Sequence, residues 1–237
     1  MCTVSFVCSN TKIIITSNRD EQVLRPAIAP KNYHINGKKI FFPKDPKAGG
    51  TWYAVDENAN VLVLLNGASE KHLWNPPYRR SRGLIVLDLI GSPSVLKTWY
   101  EINLDNIEPF TLVSYENKQL HQLRWNGTDK ETTVLDTTKN HIWSSSTLYE
   151  REIREQRAQW FYTFLDTKPV VTEAEMLQFH RYTETDNQNF GLVINRNDQL
   201  KTLSITQTVI EQNKIILVHH DLVAQKEIGR ASCRERV

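Results

Sequence analysis

The first twenty-one residues constrain this chain more than any other stretch. Val4-Ser5-Phe6-Val7-Cys8 and Ile13-Ile14-Ile15-Thr16-Ser17 are apolar, largely β-branched runs. Ser9-Asn10-Thr11-Lys12 separates them, and two such runs around a short polar turn predict a β-hairpin. A turn centred on Asn10-Thr11 sets Ser9 against Lys12, Thr3 against Asn18 and Cys2 against Arg19. A turn at Ser9-Asn10 puts Ser17 opposite Cys2 instead. Either register returns the cluster Asn18-Arg19-Asp20-Glu21 to the start of the chain.

That placement carries a chemistry. Methionine is normally removed when the second residue is small, and Cys2 qualifies. Removal exposes an α-amine, a base of pKa about 7.7–8.0, on the same residue as a thiol. The thiolate is the nucleophile, and a nearby guanidinium favours it. One residue then serves as nucleophile and base together. Position alone supports a plain buried cysteine as well.

Further motifs follow in order: Gly49-Gly50-Thr51-Trp52, then Leu65-Asn66 closing an apolar run, then Ser81-Arg82-Gly83 opening an apolar helix. With Cys2 and Asn18-Arg19-Asp20-Glu21, they resemble the NRDE family, also called the transport and Golgi organisation protein 2 family. The resemblance runs to about Gln225 and is weaker after Gly83. It implies a fold similar to the N-terminal nucleophile (Ntn) hydrolases, a four-layer αββα sandwich with two mainly antiparallel sheets between helix layers. Cys2 takes the nucleophile position, Arg19 stabilises the thiolate and Asp20 holds the amine; whether Asp20 or Glu21 faces the amine depends on the register. Asn66 at a strand end either donates to a developing oxyanion, as the resemblance implies, or forms a turn before Gly67. Asn18, Glu21, Gly50, Thr51 and Trp52 complete the candidate set as substrate-binding residues. Gly50 and Thr51 either admit a substrate close to the backbone or simply turn the chain. Ser144-Ser145-Ser146 stands where relatives often show Ser-Asn.

The expected function is therefore an Ntn-type amidohydrolase or acyltransferase acting on a small amide. The alternative, drawn from the same resemblance, is a non-enzymatic carrier of haem or a lipid metabolite. Haem enters only in that alternative; otherwise no cofactor is expected. The partner in either case is a small molecule.

The end of the chain is different in kind. Residues 227–237 resemble a translated sequencing-adapter read and are set outside one domain spanning 1–226. Residues 228–237 hold Arg230, Arg234 and Arg236 against Glu235, which accounts for the whole formal charge of +2. The remainder is near neutral and offers no basic stripe for nucleic acid. No spaced His/Cys/Glu set for zinc and no phosphate-cradling glycine loop is present. His219-His220-Asp221 alternates faces along a strand, so its two imidazoles do not share a ligand; His180 and His121 are lone histidines. Cys2 and Cys8 lie six residues apart on one strand, roughly 20 Å, too far to pair. With no signal segment and no membrane span in the sequence, a cytoplasmic protein is expected.

Elements read from the pattern complete the α+β expectation. Residues 22–46 read as mostly irregular, with a short strand at Ile40-Phe41-Phe42. Residues 61–65 read as a strand buried on both faces, and 83–90 as a buried helix. A second helix is predicted from Ser92-Pro93, with Leu96, Trp99 and Tyr100 on its inner face. Strands follow at 110–115, 120–125 and 132–135. A long helix is predicted over about 149–165, capped by Thr147, with Arg151, Arg154 and Arg157 facing away from the core. Thr172-Glu173-Ala174-Glu175 is a capping box, and strands close the chain at 190–194, 200–210 and 214–219.

Overall fold

The computed structural model describes residues 3–212 and 214–234, with side chains up to Glu227. Its elements in chain order begin with β1 (Thr3–Ser9), β2 (Lys12–Gln22), β3 (Ile28–Ile35), β4 (Lys38–Lys44), β5 (Tyr53–Asp56) and β6 (Val61–Asn66). Helices α1 (Arg82–Ile90) and α2 (Val95–Glu101) follow. Next come β7 (Phe110–Glu116), β8 (Gln119–Trp125), β9 (Lys130–Leu135) and β10 (His141–Ser144). Helices α3 (Arg151–Asp166) and α4 (Glu173–Tyr182) precede β11 (Asn195–Arg196), β12 (Leu200–Glu211), β13 (Lys214–Asp221) and β14 (Lys226–Arg234). The chain divides into two compact units, one holding residues 3–26 and 138–234, the other 27–137.

The first unit carries a sheet in the order β10-β1-β2-β12-β13-β14, with β11 also on β12 and every pairing antiparallel. The hairpin register follows the Asn10-Thr11 alternative: Ser9 pairs with Lys12 and Thr3 with Asn18. Asn10 takes φ +55°, the left-handed conformation that Asn tolerates best among residues with a Cβ. Helix α4 packs on β2 and β12, and α3 on β10. Val7 and Ile14 of the hairpin meet Phe161 of α3 and Met176 and Phe179 of α4 in one buried cluster. The capping box forms as read, Thr172 and Glu175 answering each other's backbone N–H.

Helix α3 begins later than predicted, with Glu150 rather than Thr147 at its N-cap. Arg157 does not face away: it is fully buried, one turn before Phe161 and therefore on the same helix face. Residues 190–194 form no strand. Side chains and turns take their backbone groups instead: Arg157 takes the carbonyls of Phe190 and Gly191, and Asn18 that of Leu192. The backbone of Lys226–Arg234, largely within the stretch read as foreign to the fold, pairs with β13. An edge strand presents a row of backbone donors and acceptors that an extended segment can satisfy whatever its side chains.

The second unit is a meander, β3 to β9 in sequence order, again antiparallel throughout. Residues 22–46 are not mostly irregular, because β3 and β4 pair around Asn36-Gly37. Asn36 at φ +50° and Gly37 at φ +82° supply the two left-handed positions of a tight hairpin turn. Pro30 is accommodated at a register shift between Ile28 and Lys31. All of Val61-Leu62-Val63-Leu64-Leu65 is buried, as the unbroken apolar run predicts. Helix α1 packs Ile85, Val86, Leu89 and Ile90 inward and lies against β5 and β6. Helix α2 is capped by Ser94, not Ser92, whose hydroxyl bonds to Leu89 and Ser94 carbonyls. Its inner face is Val95 and Trp99, while Tyr100 is exposed.

Gly50 and Gly83 show why two separate glycine motifs belong together. A Cβ built on Gly50 would lie 2.3 Å from the Gly83 carbonyl carbon, and one on Gly83 would lie 2.8 Å from the Thr51 carbonyl oxygen. Thr51 N–H donates to the Gly83 carbonyl at 3.1 Å across this joint. Gly50→Ala is expected to destabilise the protein by about 3 kcal/mol, because neither neighbour is a flexible side chain that can yield. Gly37→Ala, whose Cβ meets open space, carries only the left-handed penalty of about 1 kcal/mol. Denaturant midpoints of the two variants measure the difference; equal midpoints would show that the joint can open.

Candidate active site

Seven consecutive residues of β2, from Ile14 through Asp20, are buried, and five of them are polar: Thr16, Ser17, Asn18, Arg19 and Asp20. A central strand that buries polar and charged groups is unfavourable unless each finds partners. Their partners come from β12 and from the helical half of the unit.

Asp20 is 2% exposed. Its Oδ2 accepts from the Tyr149 hydroxyl at 2.7 Å and its Oδ1 from the Thr202 hydroxyl at 2.5 Å. Thr202 lies opposite Asp20 on β12, and Ser204 lies opposite Arg19. Leu203 is thus the extra residue of a β-bulge set beside the candidate site, a device that re-aims side chains.

Asn18 is wholly buried. Its amide donates to the carbonyls of His180 at 3.0 Å and Leu192 at 2.7 Å. Its Oδ1 lies 2.5 Å from His180 Nδ1, and Ser5 Oγ lies 2.7 Å from His180 Nε2. With the amide oxygen as acceptor, Nδ1 carries the imidazole proton and Nε2 accepts from Ser5. Burial, reinforced by the charge of Arg157, lowers the His180 pKa to about 3, so the ring is neutral. Asn18 is thereby a brace between β2 and α4, with both amide protons committed inside the fold.

Arg19 is buried on β2. Its charge reaches His219 on β13, whose pKa is lowered to about 4, chiefly by burial; Asp221 opposes the shift, and His220 and Arg19 add to it in smaller part. His219 Nδ1 and Thr206 Oγ1 lie 2.8 Å apart. His219 and His180 are therefore satisfied core histidines. Glu21 is partly exposed, accepts from Gln22 N–H at 2.9 Å and meets Arg25 at 3.3 Å. Cys2, like Met1, lies outside the described residues. Cys8, half-buried, is a free thiol.

The remaining candidates belong to the second unit. Asn66 ends β6 opposite Phe110, followed by Gly67 at φ +84°. Thr51 Oγ1 donates to the Pro43 carbonyl at 2.6 Å and Trp52 is buried. Gly50 and Thr51 form the joint with Gly83 described above.

Three residues missed by the sequence reading surround Asp20 and Thr3: Tyr149, Thr202 and Arg157. Arg157 carried a readable signal, since it precedes Phe161 by four and Phe164 by seven, a core stripe at helical spacing. Thr202 and Tyr149 carried none, being 182 and 129 residues from Asp20.

The described residues form an α+β protein with two antiparallel sheets and four helices. The family model for Transport and Golgi organisation 2 matches residues 1–226, and the chain belongs to that family. No curated protein matches. Among solved structures, the Caenorhabditis elegans ortholog of N-acylethanolamine-hydrolyzing acid amidase is similar, with TM-score 0.62 and 12% identity over 87% of this chain and 92% of that one. A cysteine-to-alanine mutant of conjugated bile acid hydrolase from Clostridium perfringens aligns at TM-score 0.51 and 9% identity, over 100% of this chain and 97% of that one. An arginine-to-leucine variant of the same hydrolase gives 0.53 and 9%, over 100% and 98%. At these identities the likeness is one of fold. No helix among the described residues is long and apolar enough to cross a membrane.

Proposed function

We propose that the protein is an Ntn-type amidohydrolase or acyltransferase for a small amide, using Cys2 after removal of Met1. The observation that carries this reading is the hairpin register. Thr3, the first described residue of β1, pairs with Asn18, and the buried cation Arg19 and buried carboxylate Asp20 follow Asn18 on the partner strand. The family and the fold neighbours support it, since those neighbours are an acid amidase and a bile acid hydrolase.

In this reading the α-amine of Cys2 takes the thiol proton and the sulfur attacks the amide carbonyl. The C–N bond breaks, the amine leaves with that proton, and a thioester remains. Water then hydrolyses the thioester, or an acceptor amine takes the acyl group. Arg19 stabilises the thiolate and Asp20 orients the amine. We place the protein in the cytoplasm, since the free thiol of Cys8 suits a reducing compartment.

Intact mass and site-resolved alkylation test the start of this scheme. The expected mass lacks Met1, and iodoacetamide labels Cys2 at least about ten-fold faster than Cys8, because an activated thiolate reacts ahead of an ordinary thiol. A retained Met1, or equal labelling of the two cysteines, would remove the basis of the proposal.

A further inference from the structure

A guanidinium with no exposed surface needs compensation for its charge. Arg157 of α3 is 0% exposed. It donates from Nη1 to Thr3 Oγ1 at 2.6 Å, from Nε to the Phe190 carbonyl at 3.0 Å and from Nη2 to the Gly191 carbonyl. All three acceptors are neutral oxygens. Its guanidinium carbon stands 3.6 Å from the centre of the Tyr149 ring, and that of Arg196 stands 5.2 Å from the same ring. Tyr149, 1% exposed, donates its hydroxyl hydrogen bond to Asp20 Oδ2 at 2.7 Å. A phenol thus stands between a buried cation and a buried carboxylate. Cations on its ring draw electron density from it and strengthen the O–H as a donor.

The ends of this chain of contacts give it a purpose. One end is Thr3, the residue next to Cys2; the other is Asp20. We propose that Tyr149 and Arg157 are positioning residues for the chemistry of Cys2, the guanidinium fixing Thr3 and the phenol fixing Asp20. One stacked pair then sets the carboxylate relative to the start of the chain. The assignment rests on the amidohydrolase reading. In this role each acts through the residue it holds: Arg157 through Thr3, Tyr149 through Asp20. A packing role alone would be met by any apolar pair of similar volume, without a buried charge and without a directed hydroxyl.

The test uses p-nitrophenyl acetate as an acyl donor to the whole chain. Sulfur attacks the ester carbonyl, the bond to the phenol oxygen breaks, and p-nitrophenolate leaves with the electron pair as the thioester forms. Wild type is expected to give a burst equal to the protein concentration, absent from Cys2→Ala. Tyr149→Phe keeps the ring and its stacking and removes only the oxygen. Its saturating burst rate constant is expected to fall about ten-fold, the loss of one hydrogen bond to a charged group, with the half-saturating ester concentration unchanged. Arg157→Lys keeps the charge but loses the fork that spans Thr3 and Gly191, and is expected to fall likewise. Tyr182→Phe, at an exposed tyrosine, serves as the unaffected control.

A structural role would lower the melting temperature of Tyr149→Phe and leave its burst rate constant at the wild-type value; that outcome overturns the assignment. A raised half-saturating concentration with an unchanged rate constant overturns it equally. A wild-type protein with no Cys2-dependent burst overturns the amidohydrolase reading itself, and the positioning role with it.

Discussion

Cys2→Ala is expected to abolish amide turnover, with a loss of at least about 10³-fold that leaves only what binding and orientation supply. The reason is the division of labour at the chain start. The variant keeps the α-amine, Arg19 and Asp20, but no atom remains that can form the thioester. Cys8→Ala is the matched control. Cys8 lies on β1 opposite Ile13, and its backbone N–H donates to Asn140 Oδ1 at 3.0 Å. Turnover of a small-amide library by wild type, Cys2→Ala and Cys8→Ala separates the two thiols. Full activity in Cys2→Ala would exclude covalent catalysis at this residue. Loss in Cys8→Ala alone would mean that the wrong sulfur has been assigned. Arg19→Lys adds a finer measure, since an ammonium preserves the charge proposed to stabilise the thiolate but not the planar fork.

The parts of the fold readable in the sequence are those written in local chemistry. The first hairpin is legible because Asn10 marks the turn and β-branched residues flank it. The capping box at Thr172 and the apolar run of β6 are legible for the same reason. Misreadings arise where a local rule is overridden by packing. Pro30 predicts a break, yet a register shift lets β3 continue past it. Ser92-Pro93 looks like a helix start, yet the Ser92 hydroxyl turns back to Leu89 and Ser94 starts α2. Phe190-Gly191-Leu192 has the composition of a strand, but its carbonyls are claimed by Arg157 and Asn18, side chains more than thirty residues away. The candidate site divides the same way. Arg19 and Asp20 are visible as charges in a strand that should be apolar. What holds Asp20 is not visible, because Tyr149 and Thr202 reach it only through tertiary structure.

Acid is expected to destabilise the protein through its buried histidines. His180 is buried without charge between Ser5 and Asn18, with its pKa lowered from 6.5 to about 3. Between those values the unfolded chain binds a proton that the folded chain refuses. Stability therefore rises with pH across this window and is lost as pH falls from about 6.5 towards 3. By pH 4.5 the loss from His180 alone is about 2–3 kcal/mol, at 1.36 kcal/mol per unit. His219, lowered to about 4, adds a loss of the same sign over the same range. Carboxylates with lowered pKa values act in the same direction, so the histidine share must be isolated by substitution. His180→Gln loses its bonds to Ser5 and Asn18 and is expected to be about 2 kcal/mol less stable at pH 7.5. It no longer has a proton to refuse, so its disadvantage against wild type should shrink or reverse by pH 4.5. Denaturant unfolding of both proteins at pH 7.5, 6, 5 and 4.5 gives the two curves. Parallel curves would show that the imidazole takes up its proton in the folded state, and the neutral Asn18–His180–Ser5 brace would have to be redrawn with a charge at its centre.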